Sequence, residues 1–119
     1  MDIEKEMQKY NEIGFNIFQR EEIKYGLESG LTKEQVNIYA KMYFDSKQMC
    51  QIRYGLEENL DISIYAKEEF NYLQMYEIRI GLEDKLDVSI YAKQEFNDLQ
   101  MQQIREYLLR RKKAKIKWE

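Results

Sequence analysis

Four carboxylates, Glu57, Asp61, Glu83 and Asp87, hold matching places in two nearly identical stretches, "IRYGLEENLDISIYAK" and "IRIGLEDKLDVSIYAK". Acids so placed could surround a hard cation such as magnesium, which takes oxygen ligands. The rest of a catalytic constellation is missing from the sequence. There is no histidine, the usual acid–base group near neutral pH and the commonest nitrogen ligand for zinc, and no glycine-rich phosphate loop. Cys50, the single cysteine, reads as a small, semi-buried side chain. Each acid also has a plainer use. Asp61 and Asp87 can cap helices, while Glu57 and Glu83 stand four residues after Arg53 and Arg79, the spacing of a helical ion pair. The residues therefore predict a protein that binds rather than reacts, with no catalytic residue, metal or cofactor.

The elements that carry these residues are helical. With 119 residues, 44% hydrophobic and 34% charged, the chain suits one domain able to bury a core. Proline is absent and Glu, Lys, Gln, Leu, Met and Tyr abound, an all-α vocabulary. A lone cysteine, a charged N-terminus "MDIEKEMQKY" and no long apolar run predict a cytoplasmic protein without a membrane span.

One unit is written four times. Phe15, Phe44, Phe70 and Phe96 are separated by 29, 26 and 26 residues. Each is followed four residues on by Gln (Gln19, Gln48, Gln74, Gln100) and eight on by Ile (Ile23, Ile52, Ile78, Ile104), and preceded five earlier by Tyr (Tyr10, Tyr39, Tyr65, Tyr91). Asn16, Asp45, Asn71 and Asn97 make capping boxes with those glutamines. Gly30, Asn59 and Lys85 fall where a helix ends in a left-handed residue, a conformation lysine does not favour, and Thr32, Asp61 and Asp87 start a shorter helix through "IYA". The pattern predicts an all-α domain over 1–119 of four stacked αα-hairpins, a short α-solenoid or compact helical bundle. Its units are approximately 1–30, 31–59, 60–85 and 86–115, with a basic C-terminal helix or tail over 105–119.

In the long helix Met75, Ile78 and Leu82 share one face, and Leu73, Tyr76 and Ile80 lie nearly opposite. Two apolar faces predict a helix sandwiched between neighbours. Gly26, Gly55 and Gly81 fall between those faces and predict close backbone approach by another helix, or a bend. The ends differ from the middle. The segment from Asp2 reads as a first short helix with polar substitutions. Tyr107 replaces the last glycine, the stop signal vanishes, and the helix runs on through "EYLLRRKKAKIK".

The pattern "QM..IR.GLE..LD.SIYAK.EFN.LQM" resembles a short helical-hairpin repeat, about 26 residues long, of bacterial proteins in phage and mobile-element settings; the likeness covers residues 15–107. Members of that family often carry Pro after Tyr-Ala-x, where this chain has Glu68 and Gln94, which implies a looser turn. The resemblance implies a scaffold or binding module without catalytic activity. It extends to an inhibitor, of the anti-CRISPR kind, that docks on a bacterial defence nuclease complex.

Residues that break the repeat are the candidates for contact. Tyr72 and Tyr76, four apart on one helix, replace residues that are mostly polar or small elsewhere, and Met42 and Tyr43 are peculiar to their unit. They read either as anchors of a protein interface or as covers of the seams between units. The tail is the other candidate. Residues 105–119 hold seven Lys/Arg against two Glu, net +5, whereas the preceding 104 hold twelve against twenty, net −8. Arg110, Arg111, Lys112, Lys113, Lys115 and Lys117 could meet nucleic acid or an acidic partner, or simply complement the helix dipole. Trp118 either packs back on the last unit or projects. A nucleic-acid accessory protein is thus the alternative to a protein-binding module, and pairing with a second copy is open.

Overall fold

The computed structural model of the chain describes residues 1–118, except the side chains of Lys117 and Trp118, so the candidate Lys117 and the two readings of Trp118 lie outside the described side chains. Among the described residues the secondary structure is helical, with no strand. The α-helices are α1 (Ile3–Ile13), α2 (Ile17–Glu28), α3 (Lys33–Tyr39), α4 (Ser46–Glu57), α5 (Tyr72–Glu83) and α6 (Asp98–Trp118). Two single 3-10 turns, Ile62–Ile64 and Val88–Ile90, follow α4 and α5. The chain forms two compact units, Met1–Asn59 with α1 to α4, and a second that begins at Leu60 and holds α5 and α6. The border coincides with that between the second and third sequence repeats.

Local signals act as the sequence pattern predicts. In all four capping boxes the Gln side-chain oxygen accepts the N–H of the cap residue at 2.9 Å, and the cap side chain accepts the Gln N–H. Gly30, Asn59 and Lys85 all adopt positive φ, at 96°, 59° and 58°. After α2 and α5 the next residue's N–H then reaches back to a glycine carbonyl, Leu31 to Gly26 and Leu86 to Gly81, both at 3.0 Å. Lys85 thus takes the left-handed place that glycine or asparagine fills elsewhere, although a side chain there is strained.

Three expectations are corrected. Only Thr32 starts a short α-helix, the seven-residue α3; Asp61 and Asp87 start 3-10 turns. The three extra residues of the second repeat supply the additional turn. The oxygens of Asp61 and Asp87 are taken by the N–H and hydroxyl of Ser63 and Ser89, which folds the chain within two residues. The N-terminal segment is an eleven-residue helix, capped by Asp2 and closed by Gly14 at φ 110°. The "YAK" turns are not loosened by the lack of proline: the N–H of Phe44, Phe70 and Phe96 reaches the carbonyl of the lysine three residues earlier at 3.1–3.2 Å.

In each compact unit the same three polar contacts join consecutive repeats. In the first, Gln19 Nε2 donates to the Phe44 carbonyl (2.7 Å), the Tyr39 hydroxyl to the Glu22 carbonyl (2.7 Å), and Arg53 Nε to the Glu22 carboxylate (2.8 Å). In the second, Gln74 Nε2 donates to the Phe96 carbonyl, the Tyr91 hydroxyl to the Glu77 carbonyl and Arg105 Nε to the Glu77 carboxylate, all at 2.7 Å. Around each clamp sits a closed apolar core, of Ile23, Val36, Phe44, Met49 and Ile52 in one unit and of Met75, Ile78 and Met101 in the other.

The clamp explains the recurring glycine. A Cβ on Gly26 would lie 2.0 Å from the Tyr39 hydroxyl oxygen, and one on Gly81 2.0 Å from that of Tyr91. What approaches is a tyrosine hydroxyl rather than another helix's backbone. The hydroxyl enters the groove of the long helix and bonds a carbonyl at the level of the missing side chain.

Burial pushes the phenols of Tyr39 and Tyr91 well above the usual tyrosine range. A group whose pKa is raised by folding holds its proton longer in the native state, so its contribution is complete below about pH 10, the unfolded value, and is lost as pH rises through the folded one. Alkaline titration followed by circular dichroism and tyrosinate absorbance should therefore show loss of helicity above about pH 10. Part of the tyrosinate signal should appear only with that unfolding. Tyrosines that all ionise before helicity falls would contradict this placement of the phenols.

Candidate interaction surface

Each long helix presents four longitudinal strips at about 100° per residue. On α5, Met75 and Ile78 face the core, the Gln74, Glu77 and Gly81 strip carries the clamp, and Arg79 and Glu83 pair with each other on the far side. The fourth strip, Leu73, Tyr76 and Ile80, is open to solvent: Leu73 and Tyr76 are each 40% exposed and Ile80 is half-buried. Within its unit α5 lies between the Val88–Ile90 turn and α6, as the prediction of a helix between neighbours has it, but the Leu73, Tyr76 and Ile80 strip is left partly exposed.

The same outer strip in the first unit is richer in aromatic residues. Phe18 and Tyr25, seven residues apart on α2, are 64% and 46% exposed, and Tyr54 on α4 is 38% exposed. Arg53 ties the two tyrosines together, its guanidinium carbon lying 5.4 Å from the Tyr25 ring centre and 4.7 Å from that of Tyr54. Burial works against the charge of Arg53, yet its hydrogen bonds to Glu22 and Glu57 raise the pKa and hold it protonated. Exposed aromatics around a fixed arginine have the composition of an interface centre. Phe18 stands three residues after its repeat phenylalanine and Tyr25 and Tyr54 ten after theirs, and nothing in the sequence marks these positions as exposed.

The residues singled out in the sequence are dispersed. Tyr76 lies on the outer strip, with the Arg79 guanidinium 5.5 Å from its ring centre. Tyr72 is half-buried and falls on the neighbouring strip. Met42 and Tyr43, both exposed, form the tip of the Lys41–Phe44 turn, and the Tyr43 ring stands edge-on to Phe44 at 4.7 Å. Arg110 and Lys113 are exposed on α6, whereas Arg111, Lys112 and Lys115 line a cleft beside the turn that holds Lys85.

The carboxylates are engaged locally. Glu57 accepts from Arg53, Glu83 from Arg79, and Asp61 and Asp87 from the serines two residues on. Among the described residues no three His, Cys, Asp or Glu side chains are grouped to hold a metal ion. Cys50 is half-buried beneath this surface, with Arg53 Nη2 at 3.9 Å from its sulfur. Burial raises its thiol pKa, which lowers the reactive thiolate fraction. Among the described residues no helix is long and apolar enough to cross a membrane. Comparison with protein-family models, with curated proteins and with solved structures finds no match for the chain.

Proposed function

We propose that this chain is a non-catalytic, cytoplasmic protein-recognition module of four copies of one helical-hairpin unit, two in each compact unit. Its outer strip receives the partner. The observation that carries this reading is the division of labour within the repeat. The recurring Gln and Tyr side chains and an Arg build the clamp, with the recurring Gly making room for it, while the outward positions hold exposed Phe18, Tyr25, Tyr54, Leu73, Tyr76 and Leu99. In the more specific form, the partner is a bacterial defence nuclease complex and the protein its inhibitor. The likeness to phage and mobile-element repeats supports that form, as does the net −8 of residues 1–104, which suits a surface that otherwise receives nucleic acid.

Affinity capture from a bacterial lysate with mass spectrometry tests the reading. The triple variant Phe18→Ser, Tyr25→Ser, Tyr54→Ser should keep its helicity and lose the partner that wild type retains, because truncating central aromatics costs about 2 kcal/mol or more each, some 30-fold in affinity. Tyr72→Ala with Tyr76→Ala asks the same of the second unit. Undiminished capture by both variants would reject the outer strip as the interface. For the inhibitor form, the captured protein should be a nuclease component whose DNA cleavage falls when the chain is added.

A further inference from the structure

We propose that a second surface, the cleft between the Asp84–Asp87 turn and the C-terminal half of α6, holds the phosphate backbone of a nucleic acid. The cleft is open, about 720 Å³, with Lys85 on one side and Arg111, Lys112 and Lys115 on the other. Two independent observations converge on it.

The first is Lys85. At φ 58° it occupies the left-handed place that Gly30 and Asn59 fill in the earlier repeats. A side chain there is strained where glycine would be at ease. A residue that breaks the local rule and also lines a cleft is explained by what its ammonium does in that cleft. Lys112 Nζ donates to the Asp84 carbonyl and fastens α6 to the turn. Asp87 also lines the cleft and keeps its charge while its Oδ1 accepts from the N–H and hydroxyl of Ser89, so four cations there stand against one carboxylate.

The second is charge density. Arg110, Arg111, Lys112, Lys113 and Lys115 fall within six residues of one helix. At about 100° per residue these charges spread around the helix, and Arg111, Lys112 and Lys115 are the ones that turn to the cleft, where with Lys85 they gather four cations. No aromatic ring lines the cleft, so contact would be to the backbone and indifferent to sequence. The acidic remainder of the chain confines a polyanion to this end.

Fluorescence anisotropy of the full chain with a labelled duplex DNA tests the assignment. Four neutralised phosphates predict a slope of log affinity on log salt near −3.6, so affinity should fall roughly 150-fold between about 50 and 200 mM salt. Lys85→Gly suits the backbone and should keep full helicity, while flattening that slope by about 1 and weakening binding several-fold at the lower salt. Arg111→Gln with Lys115→Gln should flatten it by about 2. The outer-strip triple variant should bind DNA as wild type does, which separates this site from the protein-recognition surface. No binding at low salt, or an unchanged slope in Lys85→Gly, would overturn the proposal. So would displacement of the DNA by polyglutamate at equal charge, which would assign the cleft to acidic polypeptides.

Discussion

Gly26→Ala should destabilise the protein by about 2–3 kcal/mol, although alanine is the better helix former by about 1 kcal/mol. The added Cβ would stand 2.0 Å from the hydroxyl oxygen of Tyr39, a ring with no exposed surface and no room to withdraw. Moving it strains the packing and strips the hydroxyl of its carbonyl partner, each costing about 1–3 kcal/mol. Removing the hydroxyl should relieve the clash. Tyr39→Phe alone should cost about 1 kcal/mol for the lost hydrogen bond. With the oxygen gone, the nearest ring atom to the new methyl is Cζ at 3.2 Å, tight but workable. The double variant should then be no less stable than Tyr39→Phe alone, giving a favourable coupling of about 2 kcal/mol. Urea denaturation of the four proteins measures it. Additive effects would mean that the glycine serves something other than the tyrosine.

A loss of about 2–4 kcal/mol is expected for Arg105→Met. Its guanidinium lies 2.7 Å from the Glu77 carboxylate, and the two side chains are only 13% and 9% exposed. Removing the arginine leaves a carboxylate in a site closed to water, and that uncompensated charge, rather than the worth of the pair, sets the cost. Glutamine stands at the place of Glu77 in two other repeats, as Gln51 and Gln103. Glu77→Gln should therefore cost under about 1 kcal/mol and restore most of the stability lost in Arg105→Met. Thermal unfolding should show the single arginine variant lowered by roughly 10 °C or more and the double variant within a few degrees of Glu77→Gln. Equal losses in both arginine variants would mean that lost packing of the side chain, not the stranded charge, dominates.

What could be read from the sequence and what could not divide along the range of the interaction. The capping boxes join residues three apart and the left-handed caps are single positions, so both were legible, Lys85 included. The clamp joins Gln19 to Phe44, Tyr39 to Glu22 and Arg53 to Glu22, pairs 25, 17 and 31 residues apart. Recurrence showed that these residues matter without saying which meets which. The glycines were legible as places of close approach, but the group that approaches is a hydroxyl 13 residues on from Gly26 and ten on from Gly81, a pairing that no local signal gives. The exposure of the outer strip is not legible in the sequence, for a physical reason. An apolar face waiting for a partner and one already covered have the same period along a helix. Only the structure shows that polar contacts join the repeats and leave Leu73, Tyr76 and Phe18 exposed.

The repeat separates side chains that build it from side chains that face outward. Thermal unfolding of two sets of single variants tests it most directly: Phe18→Ser, Leu73→Ser and Leu99→Ser on the outer strip against Gln19→Ala, Gly26→Ala and Arg105→Met in the clamp. The outer set should unfold within about 3 °C of wild type, as surface changes do, and the clamp set roughly 8 °C or more below it. Outer-strip variants that melt as low as the clamp variants would show that the exposed apolar side chains hold the fold together, and the separation would be wrong.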